Sequence, residues 1–186
     1  MKLSILICTL ESRKLKLDNL LAQISHQVYE SSNSDIEILV ETDGKQITTG
    51  AKRNKLLNRA TGDYIVFIDD DDSIMPEYLS EILKATETNP DCIGMEGWYS
   101  INGGNKTLWK LSKDLLDHDE GGVLYRRINH ISPVKRDIAL QAGFPDKSNA
   151  EDKWYSERIV KLIKTEVYIP KQLYHYTYSS VNKEYA

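Results

Sequence analysis

Four consecutive aspartates, Asp69 to Asp72, end the apolar run in "DYIVFIDDDDSIMP". Like charges in a row repel, and each raises its neighbours' pKa unless a cation compensates. A carboxylate is favourable at a helix N-terminus, which accounts for Asp72 or Ser73 ahead of a helix opened by Pro76, but not for the whole run. The remaining acids suit a hard divalent cation, Mg²⁺ or Mn²⁺, which takes oxygen ligands and shares one or two carboxylates with substrate phosphates. A second acidic pair, Glu151–Asp152, starts a later helical segment. On its own that pair reads equally well as ordinary first-turn helix acids or as a general base. Asp43 precedes Gly44 and by itself is a turn residue. Arg53, taken by itself, reads as an exposed helix charge. His26, His118 and His130 form no spaced ligand set with cysteines, which argues against zinc.

Hydrophobic periodicity shows which elements must position these groups. "KLSILICT" is a continuous apolar run, as expected for a strand buried on both faces of a parallel sheet. Leu17, Leu20, Leu21, Ile24 and Val28 recur at helical spacing and predict an amphipathic helix over Lys14 to Tyr29. A second strand is expected from Ile36 to Val40. A helix follows over "TGAKRNKLLNRATG", with Gly62 as its C-terminal stop. "DYIVFI" is a third strand, and Pro76 opens a third helix with Leu79, Ile82 and Leu83 inward. The first ninety residues thus alternate strand and helix, the pattern of a doubly wound α/β sheet. Ligands of such sheets bind beyond the carboxyl ends of the strands. Three strand ends carry the polar groups: Thr9–Glu11–Arg13, Glu41–Asp43 and Asp69–Asp72.

The second half is less regular. "CIGMEGWYS" reads as a strand, "INGGNKTLWKL" as a hairpin or loop, and "GGVLYRRINHISPVKRDIALQAGF" as a strand and then a helix over Lys135 to Ala142. A helix is expected over Glu151 to Lys164, and "TEVYIP" and "LYHYTYS" as two short β segments. Trp98, after a strand end, is the tryptophan to watch as a ligand-site wall; the eleven tyrosines read as packing.

With 186 residues the chain suits one domain, 1–186, with a regular first half, 1–90, and a less regular second half, 91–186. The formal net charge of −4 argues against nucleic-acid binding. Cys8 and Cys92 are far apart, with no C-x-x-C spacing, and fit a reducing cytoplasm. No run approaches the roughly 18 apolar residues of a membrane span, so the expectation is a cytoplasmic protein with at most peripheral membrane association.

Five stretches occur in an order that resembles the large inverting family 2 of GT-A-fold glycosyltransferases. They are "KLSILICTLESR", "EILVETDG", "TGAKRNKLLNRATGDYIVFIDDDDSIMPEYL", "GFPDKSNAEDKWYSERI" and "YIPKQLYHYTYS". That family shows V-I-I-P-T-Y-N-R, V-V-D-D-G-S, A-R-N, A-x-G-D-Y-I-x-F-L-D-x-D-D, G-G-F and E-D in the same sequence. The resemblance implies a GT-A-type doubly wound mixed sheet flanked by helices, a single Rossmann-like nucleotide-binding domain whose nucleotide-sugar-binding half is 1–90 and whose acceptor-side half is 91–186. It also implies transfer of a sugar from a nucleotide-diphospho-sugar, a UDP-sugar by preference, to a glycan or other hydroxyl acceptor, in surface polysaccharide synthesis.

Position by position, the resemblance places Thr9 and Arg13 in the first-strand loop that contacts the nucleotide. Asp43 matches the aspartate on the base, and Arg53, assisted by Lys52, the arginine that holds the nucleotide. Asp71 best matches the metal ligand, with Asp69 or Asp70 as the ribose contact. Asp152 matches the general base ahead of Glu151, and His175 would reach the metal or the diphosphate. Two departures bear on the base pocket: Cys8-Thr9-Leu10-Glu11 stands where the family has Pro-Thr-Tyr-Asn, and Thr42 where it has the first aspartate of D-D-G-S. No Q-x-x-R-W is present, so transfer of single sugars is expected over processive synthesis.

Other enzyme classes are compatible with parts of the pattern. Haloacid-dehalogenase-type phosphatases carry their D-x-D after the first strand, whereas the run here follows the third. Receiver domains also gather aspartates at strand ends, but they are shorter. Sugar nucleotidyltransferases carry a Gly-rich loop, and "CTLESRK" has no glycine. A nucleotide-binding domain without turnover is the non-enzymatic alternative.

Overall fold

The computed structural model describes residues 2–31 and 35–179. Strand β1 (Leu3–Leu10) runs through a 3-10 turn (Glu11–Arg13) into helix α1 (Lys14–Ser31). β2 (Ile36–Asp43), α2 (Thr49–Arg59), β3 (Tyr64–Phe67), β4 (Ser73–Ile74) and α3 (Tyr78–Thr86) complete the first half. The second half holds β5 (Cys92–Ile101), β6 (Thr107–Ser112), β7 (His118–Glu120), β8 (Val123–Arg127), β9 (Val134–Lys135), α4 (Arg136–Ala142), α5 (Glu151–Ile159) and β10 (Glu166–Tyr178).

The ten strands among the described residues form one mixed sheet. β2–β1–β3 are parallel, with Leu3 opposite both Ile36 and Tyr64. The order continues β9–β5–β6–β8–β7, and β10 lies against both β5 and β4. Leu3, Ile5, Leu6 and Ile7 are fully buried, as a central strand covered on both faces requires. α1 sends Leu20 and Ile24 into the core, α2 Leu56 and Leu57, and α3 Leu79, Ile82 and Leu83. Phe144 joins the halves: its ring meets Phe67 edge-on at 5.3 Å and stacks on Tyr155 at 4.2 Å. Each such buried aromatic contributes roughly 1.5–3 kcal/mol through area removed from water. No helix among the described residues is long and apolar enough to cross a membrane.

The mixed α/β class and the strand–helix alternation agree with the sequence reading, but five details differ. Gly62 is not the stop of α2. That helix ends at Arg59, and Gly62 is needed because a Cβ there would stand 2.7 Å from Ser4 Oγ and 2.8 Å from Ser4 N. Asp72 does not cap α3, whose N-cap position is Glu77 without a side-chain bond; the strand β4 intervenes. α5 stops at Ile159, short of Lys164. "TEVYIP" and "LYHYTYS" are one strand, β10, whose pairing with β5 shifts register between Ile169 and Gln172, beside Pro170, which cannot donate to a ladder. The short strands β4, β7 and β9 were not expected; two or three residues leave no periodic signal.

Candidate active site

The four aspartates do four different things. Asp69 accepts from Arg53 Nη2 at 3.1 Å and lies 3.1 Å from His130 Nε2. Burial alone would raise its pKa, but the Arg53 and His130 side chains hold the carboxyl well below the usual range. Asp70 is 2% exposed and accepts from Thr9 Oγ1 at 2.5 Å and Arg13 Nη1 at 2.7 Å. Its burial outweighs those bonds, and its pKa is raised. Asp71, like Asp69, is partly open, with Arg13 Nη2 and Lys16 Nζ each 3.4 Å from Oδ2. Asp72 turns inward, accepting from Tyr174 Oη at 2.7 Å and from the Thr177 backbone N–H at 2.8 Å. Burial and the nearby Asp69 charge push its pKa well above the ordinary value.

Helix α2 brings the cations. Its N-cap Thr48 accepts from Ala51 N, and Gly50 lets the first turn approach the 145–149 loop. A Cβ at Gly50 would lie 1.9 Å from the Pro145 carbonyl oxygen. So seated, α2 buries Lys52 and Arg53, each 4% exposed. Lys52 Nζ donates to Asp43 at 2.5 Å and to the Thr9 carbonyl at 3.0 Å, tying the ends of β1 and β2 together. Burial opposes ionisation of Asp43, yet the Lys52 bond and the Ile47 N–H lower its pKa. The Arg53 guanidinium lies over Phe67 at 5.1 Å and Phe144 at 5.6 Å, with Glu151 3.4 Å from Nε. Burial would lower the Arg53 pKa, but Asp69 and Glu151 keep the group charged. Arg53 is therefore a buried hub and not an exposed helix charge. Glu41, at the same strand end as Asp43, spends its carboxylate on Lys55 and on Arg59.

Thr9, Arg13, Lys52, Arg53, Asp69, Asp70 and Asp71 line one cleft of about 500 Å³, closed by Lys45, Ile47, Ser148 and Asn149. A second cleft of about 610 Å³ shares Asp70 and Asp71 and runs to Lys16, Asn19, Gln23 and Thr177. Asp152 is not in either. It stands in a third cavity of about 430 Å³, with Tyr99, Trp109, His130 and Tyr176. Ala150, held in the left-handed region at φ 57°, turns the chain into α5 so that Glu151 goes inward to Arg53 and Asp152 stays open. His130 connects the third cavity to the aspartates.

His175 is not brought to the acids. The pairing of β10 with β5 puts its imidazole 2.9 Å from Ser100 Oγ, and it lines neither aspartate cleft. Burial, then the charge of Lys106, lowers its pKa. Trp98 gives its carbonyl to Trp109 Nε1 at 3.0 Å, and Trp109 is the tryptophan on a cavity wall. Lys16, His130, Tyr174 and Thr177 went unread in the sequence as site residues. Lys16 carried a faint signal, one turn past the first-strand loop; the others arrive by long-range pairing and left none.

Among the described residues, no three His, Cys, Asp or Glu side chains converge on a point that could hold a metal ion by themselves. The acids still fit a cation that keeps most of its ligands from elsewhere. Asp69 and Asp70 have both oxygens engaged, and Asp71 lines both clefts with Oδ2 3.4 Å from Arg13 Nη2 and Lys16 Nζ. A single carboxylate at a phosphate site is a common way of holding Mg²⁺.

The glycosyl transferase family 2 model matches residues 21–142. The protein "Putative glycosyltransferase EpsH" of Bacillus subtilis strain 168 is 25% identical over 143 residues, covering 68% of this chain and 41% of that protein. Crystal structures of S. aureus TarS 1-349 superpose with a TM-score of 0.67, 18% identity and coverage of 95% of this chain and 60% of theirs. The complex of that protein with UDP-GlcNAc gives 0.66, 17%, 95% and 58%. The chain thus spans about two fifths to three fifths of the length of these relatives, and the TarS likeness carries the GT-A-type fold. With the family model matching most of its length, the chain belongs to glycosyl transferase family 2.

Proposed function

We propose that this chain binds a nucleotide-diphospho-sugar, UDP-linked, in the cleft between β1, β2 and α2, and transfers its sugar with inversion to a hydroxyl acceptor. The observation that carries the reading is the cleft itself: strand-end acids braced by Arg13, Lys52 and Arg53, in a family 2 chain. The complexes of TarS with UDP-GlcNAc and UDP support the choice of nucleotide. Asp43 and Lys52 would receive the base end, and Thr9, Asp69 and Asp70 the ribose. Arg13 and Lys16 supply positive charge beside Asp71, where the diphosphate carries its negative charge. Asp71 would hold the divalent cation, Mn²⁺ or Mg²⁺, whose chemistry is to neutralise charge on the leaving diphosphate.

Asp152 is assigned the general base. Its carboxylate stands in a cavity separate from the nucleotide cleft, so it can take a proton from an acceptor hydroxyl without competing for the cation. Glu151 is a poor alternative, because it is 6% exposed and paired with Arg53. Single-sugar transfer is part of the reading.

Titration calorimetry with UDP, with and without Mn²⁺, tests the proposal. UDP is expected to bind more tightly with Mn²⁺, and Asp71→Asn is expected to remove that gain, a loss on the order of tenfold or more. UDP affinity indifferent to both would sink it. Inversion is read from the anomer formed, by NMR of the first turnover products.

A further inference from the structure

His130 stands between the nucleotide cleft and the Asp152 cavity, and among the described residues only one of its ring nitrogens has a partner. Its residue is 5% exposed. The His130 carbonyl accepts from Phe67 N at 3.1 Å, which fixes the backbone to the end of β3. Nε2 is 3.1 Å from Asp69 Oδ2. Asp69 is also held by Arg53, so its orientation is set from two sides. Nδ1 is buried and has no hydrogen-bond partner among the described residues. The two ring nitrogens of an imidazole point away from each other, so Nδ1 is directed away from Asp69. The cavity that His130 lines has a wall of aromatic rings: Tyr99 and Tyr176 stacked at 5.7 Å and 21°, with Trp109 beside them. Asp152, Asn129 and Arg126 supply polar groups around it. Flat aromatic faces with a few polar groups at the rim match a pyranose ring, apolar on its C–H faces and hydroxylated at its edge.

Resting on the glycosyltransferase reading, we infer that His130 is a specificity-determining residue whose Nδ1 accepts a hydroxyl of a sugar bound in this cavity. In the tautomer that gives Nε2–H to Asp69, Nδ1 carries a lone pair, and a buried acceptor without a donor costs free energy until a ligand supplies one. The sugar is that of the donor or that of the acceptor; both present the same hydroxyl chemistry.

The test is His130→Gln, whose amide nitrogen occupies the place of Nε2 and keeps the bond to Asp69 while the Nδ1 acceptor is gone. Affinity for UDP alone is measured first, then affinity for a panel of UDP-sugars, then the KM of methyl pyranosides that stimulate donor turnover. The expected result is unchanged UDP affinity with about a tenfold loss in one sugar arm. Loss in the UDP-sugar arm assigns the contact to the donor, and loss in the methyl pyranoside KM, with kcat retained, assigns it to the acceptor. Both sugar arms unchanged would overturn the inference. An equal fall in UDP affinity would also overturn it, since it would mark His130 as a brace for Asp69 alone. Wild-type protein that fails to bind UDP would bring down the glycosyltransferase reading and this inference with it.

Discussion

Asp69 and Asp72 lie three residues apart and titrate in opposite directions, because one faces cations and the other faces burial and a neighbouring carboxylate. The sign of each follows from linkage. The lowered pKa of Asp69 contributes stability above its ordinary value of 3.8, lost as pH falls through the folded pKa. The raised pKa of Asp72 contributes stability below 3.8, lost as pH rises through the folded pKa. Asp72→Asn removes the second loss and keeps an oxygen for Thr177 N–H, while the Tyr174 hydroxyl can accept from the new amide. Its melting temperature relative to wild type is therefore expected to rise as the pH is raised above 3.8. Asp69→Asn strips a partner from Arg53 and is expected to cost about 2–4 kcal/mol at neutral pH. That is the lower side of breaking a buried ion pair, since the Asp69 side chain stays 26% exposed. Thermal melts of both variants across pH check the contrast; parallel curves would refute the opposed titrations. The sequence separated Asp72 from the other three acids, but gave it to the wrong partner. A helix start four residues away, at Pro76, is visible in sequence, and a tyrosine on β10 is not.

At the scale of elements, α2 decides whether the cleft exists, since it delivers Lys52 and Arg53 together. Its docking on the 145–149 loop passes through Gly50, whose N–H also donates to the Lys147 carbonyl at 3.0 Å. Gly50→Ala drives a methyl into the Pro145 carbonyl, a backbone atom that cannot swing aside. The variant is expected to lose about 1–3 kcal/mol, as overpacked sites do, and to bind UDP more weakly. Denaturant melts and UDP titration read the two effects. Gly104→Ala, where the nearest contact is the Ile101 carbonyl at 3.0 Å on an exposed turn, serves as the control. The helices and parallel strands of the first half were legible because their periods of two and 3.6 residues persist over whole elements. β4, β7 and β9 are too short for any period, and β10 was split by Pro170 into two readings.

For the molecule as a whole, one continuous sheet joins the two halves. β9 and β5 from the second half extend the sheet beyond β3, and β10 reaches back to β4. Neither half has a separate core, and Phe144 packs between Phe67 and Tyr155 across the division. We expect a single cooperative unfolding transition. Trp98, Trp109 and Trp154 all lie after residue 90, so tryptophan fluorescence reports the second half while far-ultraviolet circular dichroism reports the whole. Coincident denaturation curves are the expected outcome. A fluorescence transition displaced from the dichroism transition would show two units.

The sequence by itself determined the α/β class, the order of the first six long elements and the strand ends at which the polar groups cluster. These follow from local periodicity and from where apolar runs stop, and neither needs a partner in space. The tertiary structure decided which acids are satisfied and which face open space. It turned Asp72 to Tyr174 and Thr177, sent His175 to Ser100, exchanged Trp98 for Trp109 and set His130 between two cavities. Each of those outcomes depends on the register of β10 against β5, on the pairing of β5 with β6 or on the loop after β8. Register is a property of two strands together, so no single stretch of the chain encodes it.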